Sequence, residues 1–330
     1  MSDLIDGYDA AFFDLDGVIY LGPLAVSGAS EALAELERRH KTVMFVTNNA
    51  ARAAQVVIDQ LTGLGFSAGD HNVLTSAQVA VAGMARDLPP GAKVLVNGSQ
   101  SLIELVAAAG LVPVETADDH PVAVVQGYDP AMTWPRLDEA ALAIQSGATW
   151  YATNDDASRP TERGLVPGAG GLIAVIAGVV NARPVTFGKP HRPMLDEASR
   201  RTGSRRPIFV GDRIDTDIVG ACNAGMDSLL VFTGAHGKYD LLSAGPGERP
   251  THIGADVRAL LEPIRDVQLT STTAQCRGRL ARLDDGTISL DEIPGDHAGQ
   301  LDALWAIARL AWQHPTANAS DALAGLGFVR

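Results

Sequence analysis

With 330 residues, 46% of them hydrophobic, the chain is too long for one small domain and apolar enough for two or three packed cores. A net charge of −13 argues against a nucleic-acid surface or an acidic membrane as partner. It also repels anions at long range, so any anion site must rest on a metal and a few placed cations. Lysine is scarce, limited to Lys41, Lys93, Lys189 and Lys238, while the other 22 of the 26 basic residues are arginines. Cys222 and Cys276 stand far apart and form neither a disulfide framework nor a metal-ligand spacing, which points to a reducing cytoplasm. The N-terminal residues lack a basic region followed by an apolar run, so no signal peptide is expected. The apolar stretch 172–180 is too short to span a bilayer and is expected as a buried helix.

In chain order, the first informative stretch is Ala-Ala-Phe-Phe followed by Asp14-Leu15-Asp16-Gly17. Four apolar residues predict a buried strand, and Gly17 lets the chain turn sharply after it. Two carboxylates then lie at the C-terminal end of a strand, where open parallel sheets bind ligands. A calcium loop is excluded, because its glycine belongs at position six and Gly17 stands at position four. Helical patterns follow at 30–39, 51–64, 76–88 and 99–109, interleaved with strand-like Thr42–Thr47 and 93–96. The strand Thr42–Thr47 leads into Thr47-Asn48-Asn49. Beyond it, 122–126 and 150–153 read as strands, and Trp134–Gln145 as a helix with Leu137, Ala141 and Ile144 on one face. The glycine-rich run 167–171 is not a dinucleotide fingerprint, since Ile173 occupies the sixth position and Pro167 stands before it. Further on, 185–187 delivers Gly188-Lys189-Pro190, and 207–210 delivers Gly211-Asp212-Arg213-Ile214-Asp215-Thr216-Asp217. In the last 65 residues, 276–283 and Thr287–Leu290 around Asp284-Asp285-Gly286 read as a hairpin. The segment 300–313 reads as a helix with Leu301, Leu304, Trp305, Ala308 and Trp312 on one stripe. No acyl-CoA-binding loop accompanies them.

Four short apolar runs that each deliver polar groups at their C-terminal ends, in this order, resemble the haloacid dehalogenase superfamily of phosphotransferases. The insert between the second and third motifs resembles the large α/β cap of its 4-nitrophenylphosphatase (NagD-like) branch. The matching marks are Gly127-Tyr128-Asp129, Ala152-Thr153-Asn154 and Pro167-Gly168-Ala169-Gly170-Gly171. The resemblance covers roughly residues 8–262. It implies a Rossmann-like α/β fold, with a doubly wound parallel-sheet core at 1–80 and 183–263. The α/β cap would be 81–182. Residues 264–330 lie outside the resemblance, and their hairpin and helix patterns predict a small α+β appendage.

What the resemblance implies chemically is a Mg²⁺-dependent phosphatase. Asp14 would be the nucleophile that forms an aspartyl-phosphate. Asp16 would act as acid and then base, with its backbone carbonyl on the metal. Asp14 and Asp212 would ligate Mg²⁺, with Asp217 in the outer shell. Thr47, the amides around Asn48, and Lys189 would hold the phosphate. Tyr128, Asp129, Asn154, Asp155 and Arg159 lie on the expected cap loops and are candidates for reading the leaving group; Arg213 could stabilise an acidic site or face the substrate. Cap loops rich in Asp and Asn suit hydroxyls, which ranks glycerol 3-phosphate ahead of phosphoglycolate, pyridoxal phosphate and nucleoside monophosphates. A homodimer formed through the cap is a further expectation. The competing functions are a phosphotransferase on the same scaffold and a non-catalytic binding protein working through the tail.

Overall fold

A computed structural model of the chain describes residues 2–161 and 163–330. They divide into two compact units, Met1–Met44 with Thr202–Arg330, and Phe45–Arg201. Both are built around parallel sheets with helical connections, the α/β class expected from the alternating pattern. Among the described residues no helix is long and apolar enough to cross a membrane.

In the first unit the strands His252–Gly254, Asp227–Val231, Pro207–Gly211 and Ala10–Phe13 lie side by side in that order, all parallel. Ala10, Ala11, Phe12 and Phe13 are fully buried, as continuous apolar strands of a parallel sheet should be. Register pairs Phe13 with Val210 and Val210 with Leu229. The chain therefore leaves two neighbouring strands at the same edge of the sheet, at Asp14 and at Asp212. The strand Thr42–Thr47 starts in this unit, where the Thr42 amide donates to Asp9 O at 3.4 Å.

Residues 264–330 belong to this same unit. Their antiparallel sheet has the order Val267–Leu269, Thr273–Cys276, Arg279–Asp284, Thr287–Leu290. The run 276–283, expected as one strand, is broken at Arg277 and Gly278. Both have positive φ, 45° and 85°, and form the turn between two strands. The helix His297–Ala311 lies against the sheet and is buried along almost its whole length. Leu301, Leu304, Trp305 and Leu310 join Ile214, Ile218, Leu230, Phe232 and Ile253 in one apolar cluster. The tail therefore shares a core with the elements that follow Asp212. The Trp305 indole N–H donates to Arg265 O at 3.0 Å, and Arg265 pairs with the buried Asp302 at 3.0 Å.

In the second unit a five-stranded parallel sheet has the order Val185–Thr186, Thr149–Ala152, Ala123–Gln126, Lys93–Asn97, Val112–Val114. The helix Trp134–Gln145 buries Leu137, Ala140, Ala141 and Ile144 against Leu95, Val124 and Trp150. Thr47 pairs with Thr75 where the last residues of Thr42–Thr47 meet Val73–Thr75. Thr75 then caps the helix Ser76–Asp87 by exchanging bonds with Gln78 at 3.3 and 3.0 Å. Two features differ from expectation. An antiparallel hairpin, Ser158–Thr161 with Gly164–Pro167, interrupts the helix–strand alternation. The apolar stretch 172–180 lies partly in the helix Ala169–Ala177, which buries Ile173 and Ile176 but exposes Val175, as Val179 beyond it is also exposed. It is a one-sided helix rather than a buried one.

Candidate active site

The acidic part of the site is assembled in the first unit. Asp14 extends the strand Ala10–Phe13, its amide donating to Val210 O at 2.9 Å. Asp212 leaves the neighbouring strand Pro207–Gly211 in the same direction. The following residues, Ile214–Ile218, form one wide helical turn in which Asp217 N donates to Arg213 O at 3.0 Å. That turn folds Asp217 back over Gly211, where a β-carbon would overlap it. Asp217 Oδ2 accepts from the amides of Asp212 and Arg213 at 3.2 and 3.1 Å. The result is a cluster of carboxylate oxygens from Asp14, Asp212 and Asp217, all within 4.8 Å of one another. Asp212 and Asp217 are buried and Asp14 nearly so.

Three carboxylates this close repel one another unless a cation neutralises them. An all-oxygen anionic donor set fits a hard divalent cation such as Mg²⁺ and not a thiophilic metal. Glycine makes the crowding possible. Gly17 has a φ of 91°, and a β-carbon there would lie 2.6 Å from Asp212 Oδ2. Gly234 is packed so closely that a β-carbon would overlap the same oxygen.

Asp16 lies apart from the three-carboxylate cluster. It is exposed in the tight turn that Leu15 O closes with the amides of Val18 and Ile19, at 3.2 and 2.9 Å. Arg213 turns outward and pairs with Asp215 at 3.0 and 2.6 Å. Burial pushes the Asp215 carboxyl up, but its bonds to Arg213 outweigh that and leave it below the usual carboxylate range. Asp215 and Asp217, two residues apart, thus have different jobs: one pairs at the surface, the other faces the cluster.

Thr47, Asn48 and Lys189 come together in the second unit. Lys189 is only 2% exposed, and its ammonium donates to Val46 O at 3.5 Å. The Asn48 side chain spans two segments: Nδ2 donates to Lys189 O at 2.8 Å and to Asp156 Oδ1 at 3.0 Å, while Oδ1 accepts from Lys189 N at 2.8 Å. Asn48 O accepts from Asn154 Nδ2 and Ser76 Oγ, each at 2.8 Å. Asn48 is thus the brace between the end of Thr42–Thr47 and the Gly188-Lys189 turn. Thr47 Oγ1 accepts from Asn49 N at 3.1 Å. The next helix starts only at Ala54, so Thr47 is not its cap.

Of the remaining candidates, Tyr128 and Arg159 meet, the guanidinium lying 4.9 Å from the ring centroid. Asp129 is held by Arg136 at 2.6 Å, and Arg136 also reaches Gly98 O at 2.6 Å. Asp155 pairs with His191 at 2.9 Å, and that hydrogen bond raises the His191 pKa despite partial burial. Sequence reasoning missed Arg136, Asp156, His191 and the segment 233–236. The last had a signal, a Thr-Gly-Ala-His run one residue beyond the apolar strand Asp227–Val231.

Residues 11–112 match the model of haloacid dehalogenase-like hydrolases, and residues 186–260 match a HAD-hydrolase-like model. The chain is 44% identical over 260 residues to D-glycerol 3-phosphate phosphatase of Mycobacterium tuberculosis, covering 79% of this chain and 73% of the relative. It belongs to the haloacid dehalogenase-like hydrolases, in the NagD-like phosphatase branch. A solved glycerol phosphate phosphatase from Mycobacterium tuberculosis in complex with magnesium superposes with a TM-score of 0.86 at 36% identity, over 99% of this chain and 98% of the other. The 4-nitrophenylphosphatase of Thermotoga maritima superposes with a TM-score of 0.73 at 30% identity, over 78% of this chain and 97% of the other.

Proposed function

We propose that this protein is a Mg²⁺-dependent phosphatase of a small phosphomonoester, with glycerol 3-phosphate as the preferred substrate. The cluster of Asp14, Asp212 and Asp217 carries the reading, because it puts a strand-end carboxylate among oxygen donors suited to a divalent cation. The substrate follows from the relative at 44% identity, which is a D-glycerol 3-phosphate phosphatase.

Asp14, Asp212 and the Asp16 carbonyl would hold Mg²⁺, with Asp217 holding the Asp212–Arg213 backbone and completing the anionic shell. Bound there, Mg²⁺ supplies positive charge that offsets the repulsion between a carboxylate and a phosphate monoester. The Asp14 carboxylate attacks phosphorus, the bond to the alcohol oxygen breaks, and an aspartyl-phosphate forms. Asp16 gives its proton to the leaving alcohol. It then takes a proton from water, which attacks phosphorus, releases inorganic phosphate and regenerates Asp14. Acid–base help of this kind contributes roughly 10²–10⁴-fold. Asp16 is exposed, which suits a group exchanging protons with leaving group and water.

Thr47, the amides around Asn48, and Lys189 carry the phosphate-binding roles. Arg159, which is exposed and lies over the Tyr128 ring, forms with Tyr128 part of the leaving-group surface. Asp129, Asn154 and Asp155 shape it while engaged with Arg136, Asn48 and His191. The protein is expected in the cytoplasm, as a homodimer formed through the cap, without a nucleic-acid or membrane partner. Light scattering at micromolar concentration that finds only monomer removes the dimer.

The test is product analysis on glycerol 3-phosphate, phosphoglycolate, pyridoxal phosphate and nucleoside monophosphates with Mg²⁺, with and without an alcohol acceptor. Inorganic phosphate should appear in step with the alcohol, fastest from glycerol 3-phosphate. Transfer to the acceptor in preference to water would instead identify a phosphotransferase, and a different fastest substrate would overturn the ranking.

A further inference from the structure

Residues 326–330 lie beyond every segment that the two family models match, yet they reach the loop that supports Asp212. The loop is 233–238, which follows the strand Asp227–Val231. Its amides hold Asp212 at two points: Ala235 N donates to Asp212 Oδ2 at 2.5 Å and His236 N donates to Asp212 O at 3.2 Å. His236 Nδ1 in turn accepts from Ile214 N at 2.8 Å, at the start of the turn that carries Asp217. Thr233 Oγ1 donates to Gly17 O at 2.5 Å, on the Asp14–Asp16 side. One short strap thus touches both acidic segments.

The tail grips that strap from the other side at three points. The Arg330 guanidinium donates to Gly234 O, Lys238 N donates to Arg330 O at 2.7 Å, and the Lys238 ammonium donates to Leu326 O at 2.5 Å. Lys238 is buried, so its ammonium is committed to this contact. Gly237 is where the two backbones touch, since a β-carbon there would lie 2.8 Å from Arg330 O. The tail itself is fixed. Leu326 and Val329 are buried in the shared apolar cluster, and Phe328 N donates to Gln300 Oε1 at 2.7 Å on the buried helix.

We propose that residues 326–330 are a positioning element for the metal-binding carboxylate: Arg330, through the Gly234 carbonyl, holds the 233–238 strap in the place that orients Asp212. The inference rests on the metal reading of the three-carboxylate cluster. Its physical basis is that partners of metal ligands fix ligand orientation and therefore affinity. Arg330 acts one step further out than such a partner, so its effect should be smaller than the usual one.

The experiment is calorimetric titration of Mg²⁺ into the 330-residue chain without substrate. Wild type, Arg330→Ala, Arg330→Lys and Arg282→Ala are compared, each with a melting curve in the absence of Mg²⁺. Arg282 pairs with Asp291 on the exposed side of the tail sheet and controls for general loosening of the tail. Arg330→Ala should raise the Mg²⁺ dissociation constant by about three- to tenfold, below the 10–100-fold typical of direct ligand partners. Arg330→Lys should restore most of it, since a primary ammonium can still donate to Gly234 O, and Arg282→Ala should match wild type. Unchanged Mg²⁺ affinity in Arg330→Ala overturns the role of Arg330, as does an equal loss in Arg282→Ala. Failure of the wild type itself to bind Mg²⁺ overturns the metal reading and this inference with it.

Discussion

Replacing Gly188 by alanine probes how far the groups proposed to bind phosphate depend on backbone contact. A β-carbon at this position would lie 2.7 Å from Asn154 Cβ, 2.8 Å from Asn48 Oδ1 and 2.9 Å from Thr153 O. A backbone oxygen and a β-carbon cannot rotate out of the way. Restoring a separation of about 3.5 Å requires movement of roughly 0.6–0.8 Å, the difference from 2.9 and 2.7 Å. That shift pulls on two hydrogen bonds, Gly188 N to Thr153 O and Lys189 N to Asn48 Oδ1, both 2.8 Å. Overpacking of this kind costs about 1–3 kcal/mol, or a Tm lower by roughly 2–10 °C. Lys189 is the next residue, and a misplacement near 1 Å costs about 10²-fold in rate, so kcat should fall about 10- to 100-fold. The assay is Mg²⁺-dependent phosphate release at saturating substrate, with a melting curve alongside. A variant that melts lower but keeps wild-type kcat would refute the reasoning, because Gly188 would then pack the loop without placing Lys189.

Other perturbations reach different parts of the structure. Asp212→Asn removes one of three crowded charges, so the metal-free protein should melt no lower than wild type while the Tm gain on adding Mg²⁺ disappears; a thermal shift series with and without Mg²⁺ reads both. Asp155 raises the His191 pKa, so their contact is fully present below the ordinary histidine value of about 6.5 and is lost as pH rises through the raised one. Both side chains are more than a third exposed, which keeps the contribution below about 1 kcal/mol. In Asp155→Asn the His191 titration followed by NMR should move to lower pH; an unmoved midpoint contradicts the pairing. Leu304→Ala opens a hole in the core that the tail shares with Leu230 and Ile253, and should cost about 2–5 kcal/mol by chemical denaturation. The loss should appear as a lower transition of the whole first unit, whereas separate early melting of the tail helix would show that the shared core is not cooperative.

Much of this was legible in the sequence wherever one residue type has a single good use. Asp14 and Asp212 follow short apolar runs, and neighbouring parallel strands place their C-terminal ends at a common edge. The helix Trp134–Gln145 matched its periodicity because Leu137, Ala141 and Ile144 form an uninterrupted face. The tail was harder. Its sheet and helix could be anticipated, but their burial against Ile214, Leu230 and Ile253 could not, because periodicity shows that a face is apolar and not what covers it. Arg277 hid a turn, since a non-glycine residue at positive φ leaves no compositional mark beyond the Gly278 that follows it. In the cap loops, Asp129, Asn154 and Asp155 read equally well as ligand-binding groups or as loop braces. Only their contacts with Arg136, Asn48 and His191 reveal how much of each side chain is already engaged. Asn48 illustrates the same limit: the motif marks it, while its bracing of Lys189 depends on a residue 141 positions away.

The most direct measurement is inorganic phosphate release from glycerol 3-phosphate by the protein with Mg²⁺, with a chelator, and with Asp14→Asn in place of wild type. Release that requires Mg²⁺, stops with chelator and vanishes in the folded Asp14→Asn variant is the predicted result. Release that persists in the chelator or in Asp14→Asn, or none from any phosphomonoester by well-folded protein, would contradict the assignment of the three-carboxylate cluster as the catalytic centre.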